Sequence, residues 1–343
     1  MNLDKVLIIA EAGSNWKCGT IEEDFKQSKK LIDVAKESGA DVVKFQTYKP
    51  ETVYVKDAGN SDYLSKYGIE DKINDIFEHL SMPYELIPKL SEYCKEKNIM
   101  FMSTPFSVQD VDAVDPFVEI HKVASFEINH VRLLEQIFRK RKPVIISTGA
   151  STYEEIDFVV NMAKKNNAEF SLLQCTSKYP CDISELNLGI IPKLSKKYNV
   201  ISGLSDHSVD PIIGPVVAVS LGAKIIEKHF TLKRTLPGPD HPFALEPSEL
   251  KSMVKAIRNT EKAIGSDKKI VFPVEEDLHR FAKRSIQAII DIKKGDILVE
   301  GKNFEVLRPG NKTRGLEPRF LDKIEGKKSS ADILAGDGIT SYE

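Results

Sequence analysis

Two histidines near the end of the first 230 residues could bind a metal ion. His207 closes an apolar, strand-like run at 200–207, and His229 lies at the end of another at 224–230. Neighbouring strands lie about 4.8 Å apart, so the two imidazoles could share one cation. If the sheet closes into a barrel, Glu11 comes to the same place. This set suits Mn²⁺, Fe²⁺, Zn²⁺ or Co²⁺ acting as a Lewis acid, the alternative being that each histidine only forms hydrogen bonds.

Two lysines indicate an anion-binding site beside these histidines. Lys44 and Lys122 come from the second and fourth apolar runs, where a buried charge is costly unless it is paired. A phosphate or carboxylate would supply the partner. The hydroxyls of Thr104, Ser125 and Ser205 would be additional hydrogen-bond donors to it.

The sequence leaves two other roles open for the lysines. The first is an internal salt bridge to Glu11, Glu127 or Glu227. The second is Schiff-base chemistry, with Lys122 or Lys228 as the nucleophile. Neither lysine is marked by its sequence neighbours as selectively desolvated.

All these residues lie in or just after apolar, β-rich runs that alternate with amphipathic stretches to about residue 265. The predicted strands are 6–12, 41–47, 99–105, 120–125, 143–149, 170–176, 200–207 and 224–230. The predicted helices are 21–38, 84–97, 152–166, 183–197, 211–221 and 247–264. Eight such units predict a parallel (β/α)₈ TIM barrel, with its functional groups at the carboxyl ends of the strands. A doubly wound sheet is disfavoured because the first turn, EAGSNWKCG, does not match GxGxxG.

Composition changes after the barrel. We predict a catalytic barrel at 1–265, a charged linker at 266–283 and a small β-rich domain at 284–343. Within the barrel, residues 50–80 are long for a loop, and loops of this length often cover active sites. The sequence does not decide whether they act as a lid.

Charge and hydropathy exclude several classes of protein. The 49 basic and 51 acidic residues leave a net charge of −2, which favours neither nucleic acid nor an anionic membrane as a partner. No stretch approaches the roughly 20 apolar residues that span a bilayer. The four cysteines form no CxxC pair. We therefore expect a cytoplasmic protein with reduced thiols.

Many ordered segments together resemble one family. The segments include IIAEAGSNW, GADVVKFQTY, FMSTPFS, HKVASFE, VIISTGAS, LLQCTSKYP, ISGLSDHS, AKIIEKHFTL, LPGPDH, DIKKGD and LRPG. In this respect the sequence is similar to the N-acetylneuraminate (sialic acid) synthases and their relatives for legionaminic and pseudaminic acid. The resemblance covers nearly the whole chain and implies a TIM barrel followed by an antifreeze-like (SAF) domain.

The resemblance also implies a reaction and a set of roles. Phosphoenolpyruvate would condense with an N-acetylmannosamine-type amino sugar on a divalent metal, expected to be Mn²⁺, with Mg²⁺ or Co²⁺ as alternatives. His207 and His229 would bind the metal, and with Glu11 they form the expected catalytic group. Residues matching those that hold phosphoenolpyruvate are Lys44, Thr104, Lys122, Ser125 and Ser205. Residues matching those that face the sugar are Ser147, Tyr179 and Asp240.

The family implied here works as a domain-swapped homodimer, in which an arginine of the antifreeze-like domain reaches the partner's sugar. Arg308 is the matching residue. This chain reads RPGNKTRGLEP where the family has a more compact RPGxGIxP, so Arg314 competes for the role. The sequence does not identify the sugar. Alternatives are a pseudaminic acid synthase, a synthase acting on a sugar phosphate, or a non-catalytic carbohydrate-binding protein.

Overall fold

The computed structural model describes residues 3–60 and 71–343. The chain divides into two compact units, Met1–Gly265 and Ser266–Glu343. Residues 61–70, part of the long 50–80 segment whose role as a lid the sequence leaves open, lie outside the described residues. No helix of the described part is both long enough and apolar enough to cross a membrane.

The first unit is built on an eight-stranded sheet of parallel pairs within the described residues. Its strands are β1 (Leu7–Gly13), β2 (Val42–Thr47), β3 (Met100–Pro105), β4 (His121–Val123), β5 (Val144–Ser147), β6 (Phe170–Cys175), β7 (Ser202–Asp206) and β8 (Ile225–His229). The ladders run in the order β3-β2-β1-β8-β7-β6-β5-β4. β3 and β4 also lie side by side, but in the described chain no ladder joins them. The predicted TIM barrel is confirmed.

Helices follow the strands around the first unit. They are α1 (Ile21–Ser38), α2 (Pro50–Val53), α3 (Ile73–Leu80), α4 (Leu86–Lys97), α5 (Val108–Val114), α6 (Val131–Arg139), α7 (Tyr153–Lys165), α8 (Ile191–Tyr198), α9 (Ile213–Ser220) and α10 (Pro247–Ile264). The helix predicted over 183–197 is wrong in its first half. Asn187 has a φ of 48° and separates two short 3₁₀ turns, so that regular helix begins only at Ile191.

The barrel interior changes character from one end to the other. Its lower part is an apolar cluster contributed by seven of the strands or the residues next to them, formed by Leu7, Ile9, Val42, Met102, Ile120, Ile145, Leu173 and Ile225. Side chains alternate along a strand, so the next inward-facing position after Ile9 is Glu11. The same step of two leads from Ile225 to Glu227 and then to His229. The apolar cluster is therefore a floor beneath the ionisable residues at the carboxyl ends.

The second unit has its own small core. β9 (Ser285–Ala288) and β10 (Phe304–Leu307) pair antiparallel, and the helices are α11 (Glu276–Ala282) and α12 (Leu321–Ile324). The core residues include Ile286, Leu298, Phe304 and Ile339. The predicted linker at 266–283 belongs to this unit and contains α11.

Candidate active site

Four charged side chains form a buried network at the carboxyl end of the barrel. Lys44 Nζ lies 2.6 Å from Glu11 Oε2 and 3.7 Å from Glu227 Oε2. Lys122 Nζ lies 3.8 Å from Glu227 Oε1 on the other side. Glu227 thus stands between the two lysines. The internal ion pairs that the sequence left open as an alternative are therefore present, except that neither lysine pairs with Glu127 in the described contacts.

The network separates the protonation behaviour of the two carboxylates. Burial raises the pKa of Glu11 to about 7, although Lys44 opposes the shift. Burial would also raise the pKa of Glu227, but Lys122 and Lys44 outweigh it and hold the pKa below its usual range. Glu227 is therefore ionised at neutral pH. Glu11 can gain or lose a proton there.

The two lysines also differ in how well they are paired. Burial lowers the pKa of Lys122, because Glu227 is too distant to compensate fully. Burial acts on Lys44 as well, but Glu11 and Glu227 outweigh it and raise the pKa. The Lys122 ammonium donates to two neutral acceptors, Val123 O at 2.8 Å and Ser147 Oγ at 2.7 Å. Of the two, Lys122 gains more from an added anion.

Hydroxyl groups surround this network. Thr104 Oγ1 accepts from Lys44 Nζ at 2.9 Å, and Ser205 Oγ donates to Glu227 Oε1 at 3.0 Å. Both hydroxyls are buried. Thr104 therefore contacts one of the two lysines, whereas Ser205 contacts the carboxylate that lies between them.

A tight turn holds the remaining predicted hydroxyl. Ser125 Oγ accepts from the Gly149 backbone N–H at 2.9 Å. A Cβ at Gly149 would lie 2.3 Å from Ser177 Oγ, 2.8 Å from Ser125 Oγ and 2.9 Å from Cys175 Sγ. Glycine is thus required for the turns after β4, β5 and β6 to approach one another here.

The two histidines face each other beside the network. The centroids of the His207 and His229 rings are 5.6 Å apart. His207 Nδ1 lies 2.9 Å from the Thr176 carbonyl oxygen, which assigns its proton to Nδ1 and leaves Nε2 with a free electron pair. His229 Nδ1 is buried without a hydrogen-bond partner in the described chain. Glu11 is the ladder partner of His229 and therefore adjoins the pair, as predicted.

The donor set is suited to a divalent cation shared by two imidazoles. Metal–nitrogen distances are about 2.1 Å, and rings at this separation can both reach one ion. Burial, with His207 and Lys44, lowers the pKa of His229 well below its ordinary value and keeps it neutral. Burial also disfavours charge on His207, but Cys175 outweighs it and raises the pKa. Among residues 3–60 and 71–343, no three His, Cys, Asp or Glu side chains form a complete ligand group.

A pocket of about 430 Å³ opens over this end of the barrel. Tyr179 and Asp240, both predicted to face the sugar, line it. The Tyr179 ring packs on His207 with centroids 4.1 Å apart, and Asp240 Oδ2 accepts from the Ser14 N–H and hydroxyl at 2.8 and 2.9 Å. One wall of the pocket is apolar and includes residues of α3. Its residues are Tyr54, Ile73, Ile76, Phe77, Leu80 and Phe126.

Schiff-base chemistry finds no support at Lys228. Its ammonium lies on the outer face of the barrel and donates to Asp206 Oδ2 at 2.7 Å and to Ser208 O and Oγ at 2.5 and 3.1 Å. All three hydrogens of the ammonium are therefore used, away from the mouth.

The predicted arginine lies in the second unit. Arg308 follows β10 and is exposed. Arg314 is half-buried, and its guanidinium lies 3.5 Å from the His279 ring. Exposure makes Arg308 the more accessible of the two.

Comparison with known proteins identifies the family. The NeuB family model matches residues 31–269, more than half of the chain, and the SAF domain model matches residues 283–341. The chain belongs to the NeuB family. Its relatives include pseudaminic acid synthase of Campylobacter jejuni, 38% identical over 98% of this chain and 95% of the relative, and N,N'-diacetyllegionaminic acid synthase of the same species, 36% identical over 97% and 99%. The crystal structure of an N-acetylneuraminic acid (sialic acid) synthetase from Leptospira borgpetersenii, in complex with citrate, is 33% identical, with a TM-score of 0.70 over 80% of this chain and 90% of that one.

Two residues to which the sequence analysis gave no role also belong to this group of contacts. Gln46 Nε2 donates to Glu11 Oε1 at 2.9 Å, and Cys175 Sγ lies 3.8 Å from His207 Nδ1. Glu227 was considered only as a salt-bridge partner, yet it is central. The step of two along each strand was the available signal, because Lys44 to Gln46 and Leu173 to Cys175 follow it.

Proposed function

We propose that this chain condenses phosphoenolpyruvate with an amino sugar to give a nine-carbon, sialic-acid-type sugar acid and inorganic phosphate, as a carbon–carbon bond-forming transferase. The observation that carries the proposal is the buried pair of lysines, Lys44 and Lys122, in the same barrel mouth as two facing imidazoles. The names of the relatives, pseudaminic acid synthase and N,N'-diacetyllegionaminic acid synthase, support it.

The phosphoenolpyruvate would bind over the lysines. Its phosphate would lie against Lys44 and Ser205, and its carboxylate near Thr104 and Lys122, with Ser125 as a further donor. Lys122 favours an anion because the hydrogen bonds that its ammonium donates in the free protein are to neutral oxygens. The buried network positions the anion and replaces the water that it loses.

The sugar would bind in open-chain form in the pocket above. His207 and His229 would hold a divalent cation, which we propose to be Mn²⁺, with Mg²⁺ or Co²⁺ as alternatives. When bound, that cation supplies Lewis acidity toward the aldehyde carbonyl. Ser147, Tyr179 and Asp240 would orient the sugar, and the residues of α3 would exclude water from one side.

Bond making and breaking would then proceed as follows. C3 of phosphoenolpyruvate attacks the aldehyde carbon, which forms the carbon–carbon bond, opens the carbonyl π bond to an alkoxide and leaves positive charge at C2. Water adds at C2, and one of its protons reaches the alkoxide, which becomes a hydroxyl. The other proton leaves with phosphate as the carbon–oxygen bond at C2 breaks and the 2-keto acid forms. Glu11 would take the proton of the water, since its pKa of about 7 suits transfer near neutral pH and Gln46 holds one of its oxygens.

The apolar wall of the pocket favours one class of sugar. A 2,4-diacetamido-6-deoxy hexose presents a second acetyl methyl and a C6 methyl, whereas N-acetylmannosamine presents hydroxyls at both positions. Tyr54, Phe77 and Phe126 would bury those methyl groups. A sugar phosphate is disfavoured, because Lys178, the cation that lines the described pocket, donates to Glu185 at 2.8 and 2.7 Å.

We further propose a cytoplasmic, domain-swapped homodimer, without nucleic-acid or membrane partners, in which Arg308 contacts the sugar bound by the other subunit. The exposed guanidinium of Arg308 supports this assignment over half-buried Arg314. Arg308→Ala should raise the sugar KM, with little change for Arg314→Ala. The reverse pattern would transfer the role to Arg314.

Phosphate release tests the proposal directly. Phosphoenolpyruvate would be supplied with N-acetylmannosamine, its 2,4-diacetamido-6-deoxy analogue or the altrose isomer, each with and without Mn²⁺. We expect Mn²⁺-dependent release, with the highest kcat/KM for one of the two diacetamido sugars. The ratio of kcat/KM between the 2,4-diacetamido-6-deoxy analogue and its altrose isomer distinguishes legionaminate from pseudaminate as the product. No release with any sugar would favour a carbohydrate-binding protein instead.

A further inference from the structure

A buried ion pair lies behind the two histidines, on the outer face of the barrel. Asp206 and Lys228 are ladder partners at the last rung between β7 and β8. Their side chains alternate with those of His207 and His229, and so point away from the mouth. Both are at most 1% exposed, and Lys228 Nζ lies 2.7 Å from Asp206 Oδ2.

Lys228 is hydrogen-bonded to both residues that flank His207, namely Asp206 and Ser208. Lys228 donates to Asp206 Oδ2 and to the carbonyl and hydroxyl oxygens of Ser208. Asp206 Oδ1 accepts from the Ser208 N–H at 2.8 Å, which closes a turn around His207. One ammonium, from the residue before His229, therefore links the residues before and after His207.

Surrounding contacts leave the pair little room to move. A Cβ at Gly214, in α9, would lie 2.7 Å from Asp206 Oδ2. His207 itself lies one residue beyond the last rung of the ladder. Its carbonyl accepts from the Cys181 N–H at 3.0 Å and its ring contacts Thr176 O, both in the loop after β6. Those contacts fix the His207 ring relative to the loop after β6, but they do not set its distance from His229 on β8.

We propose that Lys228 is a positioning residue that sets the spacing of His207 and His229, and thereby the affinity of the site for a divalent cation. The inference rests on the proposed function, in which these imidazoles hold that cation. Metal–ligand distances tolerate deviations of about 0.2 Å, so a small shift of the β7 end weakens binding. A buried ion pair by itself adds little stability over an apolar pair, which is consistent with a role in geometry.

The test measures Mn²⁺ binding to the whole chain by electron paramagnetic resonance, with phosphoenolpyruvate binding measured separately without metal. For Lys228→Met we expect the Mn²⁺ Kd to rise at least tenfold, while the phosphoenolpyruvate Kd stays within about twofold because Lys44 and Lys122 are untouched. Arg258→Met is the matched control. It removes a cation paired with Asp41 at 2.6 Å at the opposite end of the barrel and should lower Tm without changing the Mn²⁺ Kd.

A second variant keeps the test informative if Lys228→Met does not fold. Asp206→Leu combined with Lys228→Met removes both charges, so that no unpaired carboxylate is buried, yet it does not restore the link to Ser208. It should also bind Mn²⁺ at least tenfold more weakly. A folded Lys228 variant with the wild-type Mn²⁺ Kd overturns this inference alone. A wild-type chain that binds no Mn²⁺ overturns the metal site of the proposed function and this inference with it.

Discussion

Replacing Lys122 with methionine tests the anion site with least ambiguity. The substitution keeps most of the side-chain volume and removes the ammonium that lies 3.8 Å from Glu227. At about 4 Å and an effective dielectric constant of about 20, the gross attraction between two unit charges is about 4 kcal/mol. Desolvation offsets part of this, and hydrogen bonds to charged groups contribute about 1.5–3 kcal/mol net. At about 1.4 kcal/mol per tenfold, Lys122→Met should weaken phosphoenolpyruvate binding about 10- to 150-fold.

The assay is calorimetric titration with phosphoenolpyruvate in metal-free buffer, paired with KM for phosphate release. Lys142→Met is the control, because Lys142 donates to Asp115 O and Val118 O, which precede β4 and so lie away from its carboxyl end. The opposing view is that Lys122 only balances Glu227 within the barrel. In that case Lys122→Met would lower Tm and leave the phosphoenolpyruvate Kd within twofold of wild type, and our assignment of the lysine would be refuted.

Three other perturbations test the metal site, the turn at Gly149 and the carboxyl group of Glu127. His229→Ala should keep the fold, by circular dichroism, and lose Mn²⁺-dependent phosphate release; full activity would place the metal elsewhere. Gly149→Ala should raise the phosphoenolpyruvate KM about tenfold, because its Cβ crowds Ser125 and Ser177 and overpacking costs about 1–3 kcal/mol; an unchanged KM would contradict this. Burial raises the pKa of Glu127 to about 7, so the native carboxyl stays protonated while the unfolded one ionises near pH 4.5. Urea unfolding should thus show wild type losing stability between about pH 4.5 and 7 relative to Glu127→Gln, and parallel curves would refute the shift.

Most of the fold could be predicted because parallel strands are buried on both faces. Such strands read as continuous apolar runs, and all eight runs became barrel strands. The boundaries of the elements could be predicted less well than their order. The run at 120–125 forms a strand only over His121–Val123, because the chain turns at Ser125 into a 3₁₀ helix. The misplaced start of α8 has a different local cause, the left-handed conformation of Asn187, which hydrophobic periodicity cannot reveal.

The sequence could predict that the site residues meet at one end of the barrel, but not which of them pair. Residues at strand ends converge in any barrel, so His207 and His229 were within reach of sequence reasoning. Which carboxylate bonds which lysine depends on side-chain distances of a few ångströms. Glu227 between Lys44 and Lys122 is such a detail, since it follows from the register of β8 rather than from spacing along the chain.

The missing ladder between β3 and β4 has a mechanical consequence. The two strands face each other across a seam that backbone hydrogen bonds do not close within the described chain. Thr104 lies in β3 and Lys122 in β4, and both are proposed to contact the same substrate carboxylate. Bound phosphoenolpyruvate would then link β3 to β4, so that these two strands move less relative to each other in the complex than in the free protein.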